Sequence, residues 1–226
     1  IQNIKLNFND KNNCSKTINH NGSNINIYYP CEEHNNFPKK SKYIILNETP
    51  EEYKNKILPY INGIYKTNTK WIKNIIYNNS EQEKIFFKND DIVIIKNITW
   101  KEDKCKDSFY ILAIPVENLM TIRDLRKKHI PILLRMKEEC IKVAEQYDIN
   151  KNQLYFFFHY HPSFYHLHLH CCIINNKELS TKYFRCKMLE TIIMNLIRNS
   201  HFYKNNDIMF EIPDSHIISR ILSKNS

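Results

Sequence analysis

The chain has 226 residues and a net charge of +9, and is long enough to bury a core in one or two domains. It has only two glycines, Gly22 and Gly63. That excludes a P-loop, a GxGxxG dinucleotide turn and a GxSxG nucleophile elbow, each of which needs closely spaced glycines.

The seven cysteines are odd in number and form no CxxC pair, so they read as free thiols in a reducing compartment. The positive charge suits an anionic partner such as a nucleotide or RNA, although a lysine-rich surface also simply keeps a chain soluble. No apolar run reaches membrane-spanning length and no signal peptide is visible. The start at Ile1, without a methionine, reads as a trimmed N-terminus.

Residues 1–36 are polar, with strand-like patches at Ile4-Leu6-Phe8 and Asn24 to Tyr29 around the turn Asn21-Gly22-Ser23. This piece is too short to bury a core alone and is expected to pair with another chain or pack on the rest. Residues 37–42 read as a hinge. Tyr43 to Leu46 is a short strand, and Thr49-Pro50-Glu51-Glu52 is a capping box. The helix it opens is expected to stop at Pro59. A second short helix covers Ile72 to Tyr77. Strands Lys84 to Lys88 and Ile92 to Lys96 flank the hairpin signal Asn89-Asp90-Asp91, and Ser108 to Ile114 is a further strand.

The longest helix spans Arg126 to Tyr147, with an apolar stripe of Ile130, Leu133, Leu134, Ile141, Ala144 and Tyr147. A strand from Gln153 to His159 follows, then a histidine-rich stretch and a polar loop from Asn175. A helix over Tyr183 to Asn199, a strand over Ile208 to Ile212 and a short helix from Ser215 complete the chain. Helices and antiparallel strands without a βαβ rhythm indicate an α+β fold.

Five of the ten histidines fall between His159 and His170. His166, His168 and His170 alternate with Leu167 and Leu169, so on a strand all three imidazoles face one side. Such a row serves either a metal such as zinc or chemistry on phosphate, and the spacing alone does not separate the two.

The flanks carry more. His159-Tyr-His-Pro162-Ser163-Phe-Tyr165-His166-Leu-His168-Leu-His170 resembles the histidine-triad motif of the scavenger mRNA-decapping enzymes, the 7-methylguanosine-cap diphosphatases. The resemblance extends along the chain. It takes in Tyr29-Pro30, the run from Glu48 to Asn55 with Leu58-Pro59, and Trp71 to Ile75 with Glu81 ten residues after Trp71. Ile122-Arg123-Asp124-Leu125, and Arg185 fifteen residues after His170, continue it.

The resemblance implies a histidine-triad-type antiparallel sheet with helices over residues 43–226. It also implies a small N-terminal domain, residues 1–42, exchanged between the protomers of a homodimer. The implied reaction cleaves a methylated cap dinucleotide or short capped RNA to 7-methylguanosine monophosphate through a phosphohistidine, in the cytoplasm and also the nucleus. No metal, other cofactor or membrane is implied. His168 is then the nucleophile, with His166, His170 and His159 around it. Ser163 and Arg185 hold phosphate, Trp71 stacks on the cationic base and Glu81 accepts its N–H groups. Ile98 covers the other face of the base, beside Asn97, and Asn9 reaches in from the exchanged segment.

Departures from the family pattern fall at Asn97, where an acid is expected, at Thr99, where a phosphate-binding lysine is expected, and at Phe164, where a tyrosine is expected. The charge missing at Thr99 is expected from hinge lysines Lys39, Lys40 and Lys42. Lys96 is the other candidate, though on a regular strand it points away from Thr99. His161, in an apolar family position, is expected to be peripheral. A generic dinucleoside-polyphosphate hydrolase of the same superfamily, a non-catalytic cap-binding module and a zinc site are the rival readings.

Overall fold

The computed structural model describes residues 15–20, 23–28, 42–77, 82–100, 108–175 and 184–223. The chain divides into two units, Ile1–Ser41 and Lys42–Ser226. In the first, β1 (Ser15–His20) and β2 (Ser23–Tyr28) form an antiparallel hairpin, with Ser15 opposite Tyr28 and His20 opposite Ser23. The expected strand at Ile4-Leu6-Phe8 lies outside the described residues.

The second unit opens with β3 (Tyr43–Glu48). The capping box then closes as its residues dictate: Glu52 N–H donates to Thr49 Oγ1 and Thr49 N–H donates to the Glu52 carboxylate, both at 3.1 Å. Helix α1 (Pro50–Glu52) passes through a π-helical turn, Tyr53–Ile57, into α2 (Leu58–Asn68), and α3 (Lys70–Tyr77) follows. Pro59 therefore does not stop the helix. Proline has no N–H to give the preceding turn. The π turn, in which Leu58 N–H bonds back to Tyr53 O, accommodates that gap, and Ile57 and Ile61 stay buried across the joint.

Strands β4 (Ile85–Lys88) and β5 (Ile92–Lys96) meet at Asn89, whose Oδ1 accepts Asp91 N–H at 2.9 Å and Ile92 N–H at 2.8 Å. Next come β6 (Tyr110–Pro115), α4 (Ile130–Glu145), β7 (Leu154–His159) and β8 (Leu169–Ile173). The unit ends with β9 (Cys186–Met188), α5 (Leu189–Arg198), α6 (Phe202–Asn205), β10 (Ile208–Pro213) and α7 (Ile217–Ser223).

Six strands form one antiparallel sheet in the order β4-β5-β6-β8-β7-β9, and β3 pairs with β10 in a separate two-stranded ribbon. The architecture is α+β. Helix α4 lies against β4, β5, β6 and β8. Its buried face is Leu133, Met136, Cys140, Val143 and Ala144, with Ile130 and Ile141, and Tyr147 just beyond the helix, packed against the core, so of the expected stripe only Leu134, 44% exposed, faces away. The helix expected from Tyr183 starts later. Cys186–Met188 first pairs with β7 at the sheet edge, and α5 begins only at Leu189. β6 is buried along its whole length, as expected of a central strand. No described helix is long and apolar enough to cross a membrane.

Candidate active site

The sheet register builds the site. His170 in β8 lies opposite Phe157 of β7 and Leu112 of β6. With a side-chain period of two, Tyr110, Leu112, Phe157, His159 and His170 share one face. Above that face is a cavity of about 910 Å³ whose wall includes His159, His168, His170, Ser163, Arg185 and Trp71.

His166 and His168 precede the strand, which starts at Leu169. His168 is on the cavity wall and His166 is not. Instead His166 Nε2–H donates to Pro115 O at 2.8 Å. His168 Nδ1 lies 2.8 Å from the backbone carbonyl of His166. A carbonyl only accepts, so Nδ1 carries the proton and Nε2 of the neutral ring keeps its lone pair. Burial pushes the His168 pKa down to about 4, helped by the charges of His166 and Arg185. Burial also holds His170 well below the usual imidazole range and lowers His166. All three are thus neutral near pH 7.

Ring contacts fix the orientations. Phe164 stacks on His168 with centroids 3.9 Å apart and planes 20° apart, and Trp71 meets Phe164 edge-on at 5.0 Å. His170 stacks on Phe157 at 4.9 Å, and its Nδ1 lies 2.6 Å from Tyr110 Oη. The His159 and His170 rings are 4.2 Å apart. Trp71 sits beside the buried Ile72, Ile75 and Ile76 of α3 yet is itself 37% exposed, on the cavity wall. On the opposite strands the wall includes Lys96, Asn97, Ile98 and Thr99, with Ile98 97% exposed.

Asn97 Oδ1 accepts both Thr99 N–H and Thr99 Oγ1–H at 2.9 Å, which folds residues 97–99 into a turn. That turn explains why Lys96 and Thr99 line the same cavity, against the regular-strand expectation. Lys42 is not on the wall. Glu81, Asn9, Lys39 and Lys40 lie outside the described residues. Among described residues, Glu83 and Lys84 are wall residues that the sequence reading did not single out.

The loop bearing Ser163 is held from α2. Asn68 Nδ2–H donates to Ser163 O at 3.3 Å, and Asn68 Oδ1 accepts Tyr165 N–H at 2.7 Å. Arg185 Nη2–H donates to Ser163 Oγ at 3.3 Å. Behind the loop, His161 is buried and is not on the wall of the histidine cavity; its Nε2–H donates to Glu48 Oε2 at 2.8 Å. Glu48 also pairs with Arg123 at 2.8 Å and accepts from Tyr160 Oη–H. Arg123 further donates to the carbonyls of Glu48, Tyr203 and Asn206. Burial pushes the Glu48 carboxyl up, but His161, Arg123 and Tyr160 outweigh it and hold the pKa below its usual value. Among the described residues, no group of three His, Cys, Asp or Glu side chains is placed to hold a metal ion.

Residues 70–183 match the family model described as scavenger mRNA decapping enzyme C-term binding. The m7GpppX diphosphatase of Ascaris suum is 27% identical over 200 residues, covering 86% of this chain and 66% of the relative. That of Caenorhabditis elegans is 30% identical over 178 residues, covering 76% of this chain and 57% of the relative. The chain thus spans between 57% and 66% of the length of these two curated relatives. Among solved structures, a HIT family hydrolase from Legionella pneumophila Philadelphia 1 aligns with a TM-score of 0.34 and 19% identity, over 39% of this chain and 79% of that one.

Proposed function

The chain belongs to the scavenger mRNA decapping enzyme family, and on that premise we propose that it cleaves the triphosphate bridge of a 7-methylguanosine cap, on a cap dinucleotide or short capped RNA. The observation that carries the reading is His168, a neutral, buried imidazole whose Nδ1–H is tied to the His166 carbonyl, leaving Nε2 free to attack.

In the proposed first step His168 Nε2 forms a bond to the phosphorus attached to 7-methylguanosine, and the P–O bond to the bridging oxygen breaks. The nucleoside diphosphate leaves with that electron pair, its charge met by Arg185 and Ser163. Water then attacks the phosphohistidine, the N–P bond breaks, and 7-methylguanosine monophosphate and a proton are released. Preorganised donors around the phosphate do the stabilising work. Tyr110 and Phe157 orient His170, and His159 lies beside it. Trp71 offers an indole face to the cationic base, worth roughly 0.5–2 kcal/mol. Glu81, Asn97, Ile98 and Asn9 complete the base site in this reading.

The free thiols of Cys140, Cys171 and Cys172 suit a reducing compartment, and the proposal puts the enzyme in the cytoplasm and nucleus, as a homodimer. The test is turnover of methylated and unmethylated cap dinucleotides with a chelator present. The expected products are 7-methylguanosine monophosphate and a nucleoside diphosphate, with the methylated substrate preferred. Equal turnover of both would point to a generic dinucleoside-polyphosphate hydrolase, and no turnover to a binding module.

A further inference from the structure

Asn68 is the last residue of α2, at the corner where that helix passes into α3. The corner is firmly built. Thr69 is fully buried, and its N–H and Oγ1–H both donate to Tyr65 O, at 3.0 and 2.7 Å. Its own carbonyl accepts Lys73 N–H at 3.1 Å. Asn68 and Trp71 are therefore carried by one fixed piece of backbone.

The loop that bears Ser163 is anchored at its ends by main-chain bonds. Tyr160 N–H donates to Arg185 O at 2.9 Å, and Leu167 N–H donates to Leu119 O at 2.7 Å. Between these anchors the Asn68 amide spans three residues. It donates to Ser163 O and accepts Tyr165 N–H, so both peptide groups that flank Phe164 are held.

The ring so placed lies on the nucleophile. Phe164 stacks on His168 with centroids 3.9 Å apart, and its other neighbour is Trp71, met edge-on. The bond from His168 Nδ1 to the His166 carbonyl fixes the direction of one ring nitrogen, and the imidazole can still tilt about that bond. A ring stacked on its face removes the tilt. The plane matters, because a displacement of about 1 Å in a reacting group can cost about a hundredfold in rate.

We infer that Asn68 is a positioning residue for the reaction: it holds Phe164 flat against His168 and so sets the plane from which Nε2 reaches phosphorus. The inference rests on the proposed decapping reading. Asn68 is not on the wall of the histidine cavity, so its effect passes through Phe164.

The test measures kcat on a methylated cap dinucleotide and the Kd of the 7-methylguanosine nucleoside, which needs only the base site. Asn68→Ala releases both peptide groups and is expected to lower kcat about tenfold, with nucleoside affinity unchanged because Trp71 keeps its corner. Asn68→Gln, which keeps both amide groups, should recover most of the rate. Phe164→Leu should lower kcat at least as far as Asn68→Ala, and combining the two should cost nothing more, since residues that act as a unit do not add. A normal kcat in Asn68→Ala, an equal loss of nucleoside affinity, or losses that multiply in the double variant overturn the role. With normal cleavage by the wild type, each of these leaves the decapping reading standing. A wild type that does not cleave the methylated cap removes the reading and the role together.

Discussion

The hydrogen bond from His168 Nδ1 to the His166 carbonyl decides which ring nitrogen can attack, and burial decides when. Under the proposed mechanism His168→Ala abolishes hydrolysis while binding of the methylated cap changes little, because the base is recognised elsewhere. Acid-quenched wild type should hold label on His168 when the phosphorus next to 7-methylguanosine is labelled. The active form is the neutral ring, and its pKa in the folded protein is about 4. The acid limb of kcat should therefore fall as pH drops through about 4. A limb near 6.5 would mean that His168 is not desolvated as described.

Charge is the second residue-scale question. Lys96 lies on the wall of the cavity, its Nζ 5.5 Å from the Trp100 ring centroid. Lys96→Ala is predicted to weaken cap binding about tenfold and flatten its salt dependence, the loss of one charge-assisted contact. Thr99→Lys should tighten binding. If instead the combined neutralisation of Lys39, Lys40 and Lys42 carries the whole loss, the hinge supplies the charge.

Between elements, the Glu48–Arg123 pair joins the end of β3 to the turn before α4, and Tyr160 and His161 bring in the segment that leads to Ser163. The Glu48 carboxylate and the Arg123 guanidinium are both paired, and removing one strands a buried charge. Glu48→Gln should cost about 3–5 kcal/mol, roughly a 10 °C drop in Tm for a domain of this size. A melting curve unchanged by Glu48→Gln would show the pair to be dispensable.

This network also marks where the sequence stopped being legible. The Thr49 capping box and the Asn89 turn are local patterns, and each folds as its spacing dictates. The histidine strand, by contrast, begins only at Leu169, so His166 turns to the Pro115 carbonyl and does not join His168 and His170 on the cavity wall. Glu48 and Arg123 are 75 residues apart, and no local pattern pairs them. The structural role of His161 was likewise not legible, because its partner, Glu48, comes from 113 residues away. The stripe on α4 took in the exposed Leu134 and left out Met136, Cys140 and Val143, and Pro59 was read as a stop because only tertiary burial of Ile57 and Ile61 favours a π turn over a break. Lys96 reached the cavity through a side-chain hydrogen bond that ends the strand's alternation.

At the scale of the molecule, the first unit poses a stability problem. Its described element is the β1–β2 hairpin, and a lone two-stranded hairpin is marginal in water at best. Under the proposed reading, association with a second copy supplies what the hairpin lacks. An exchanged segment is a common and inexpensive way to build a two-fold dimer, because each copy supplies what the other lacks. The prediction is that light scattering gives a mass near twice 27.3 kDa, independent of dilution over the micromolar range. Cap binding should then be lost on dilution only where the dimer dissociates, because Asn9 would reach the base from the exchanged segment. A monomer of full cap affinity would refute the exchange and remove Asn9 from the site, while leaving the chemistry at His168 untouched.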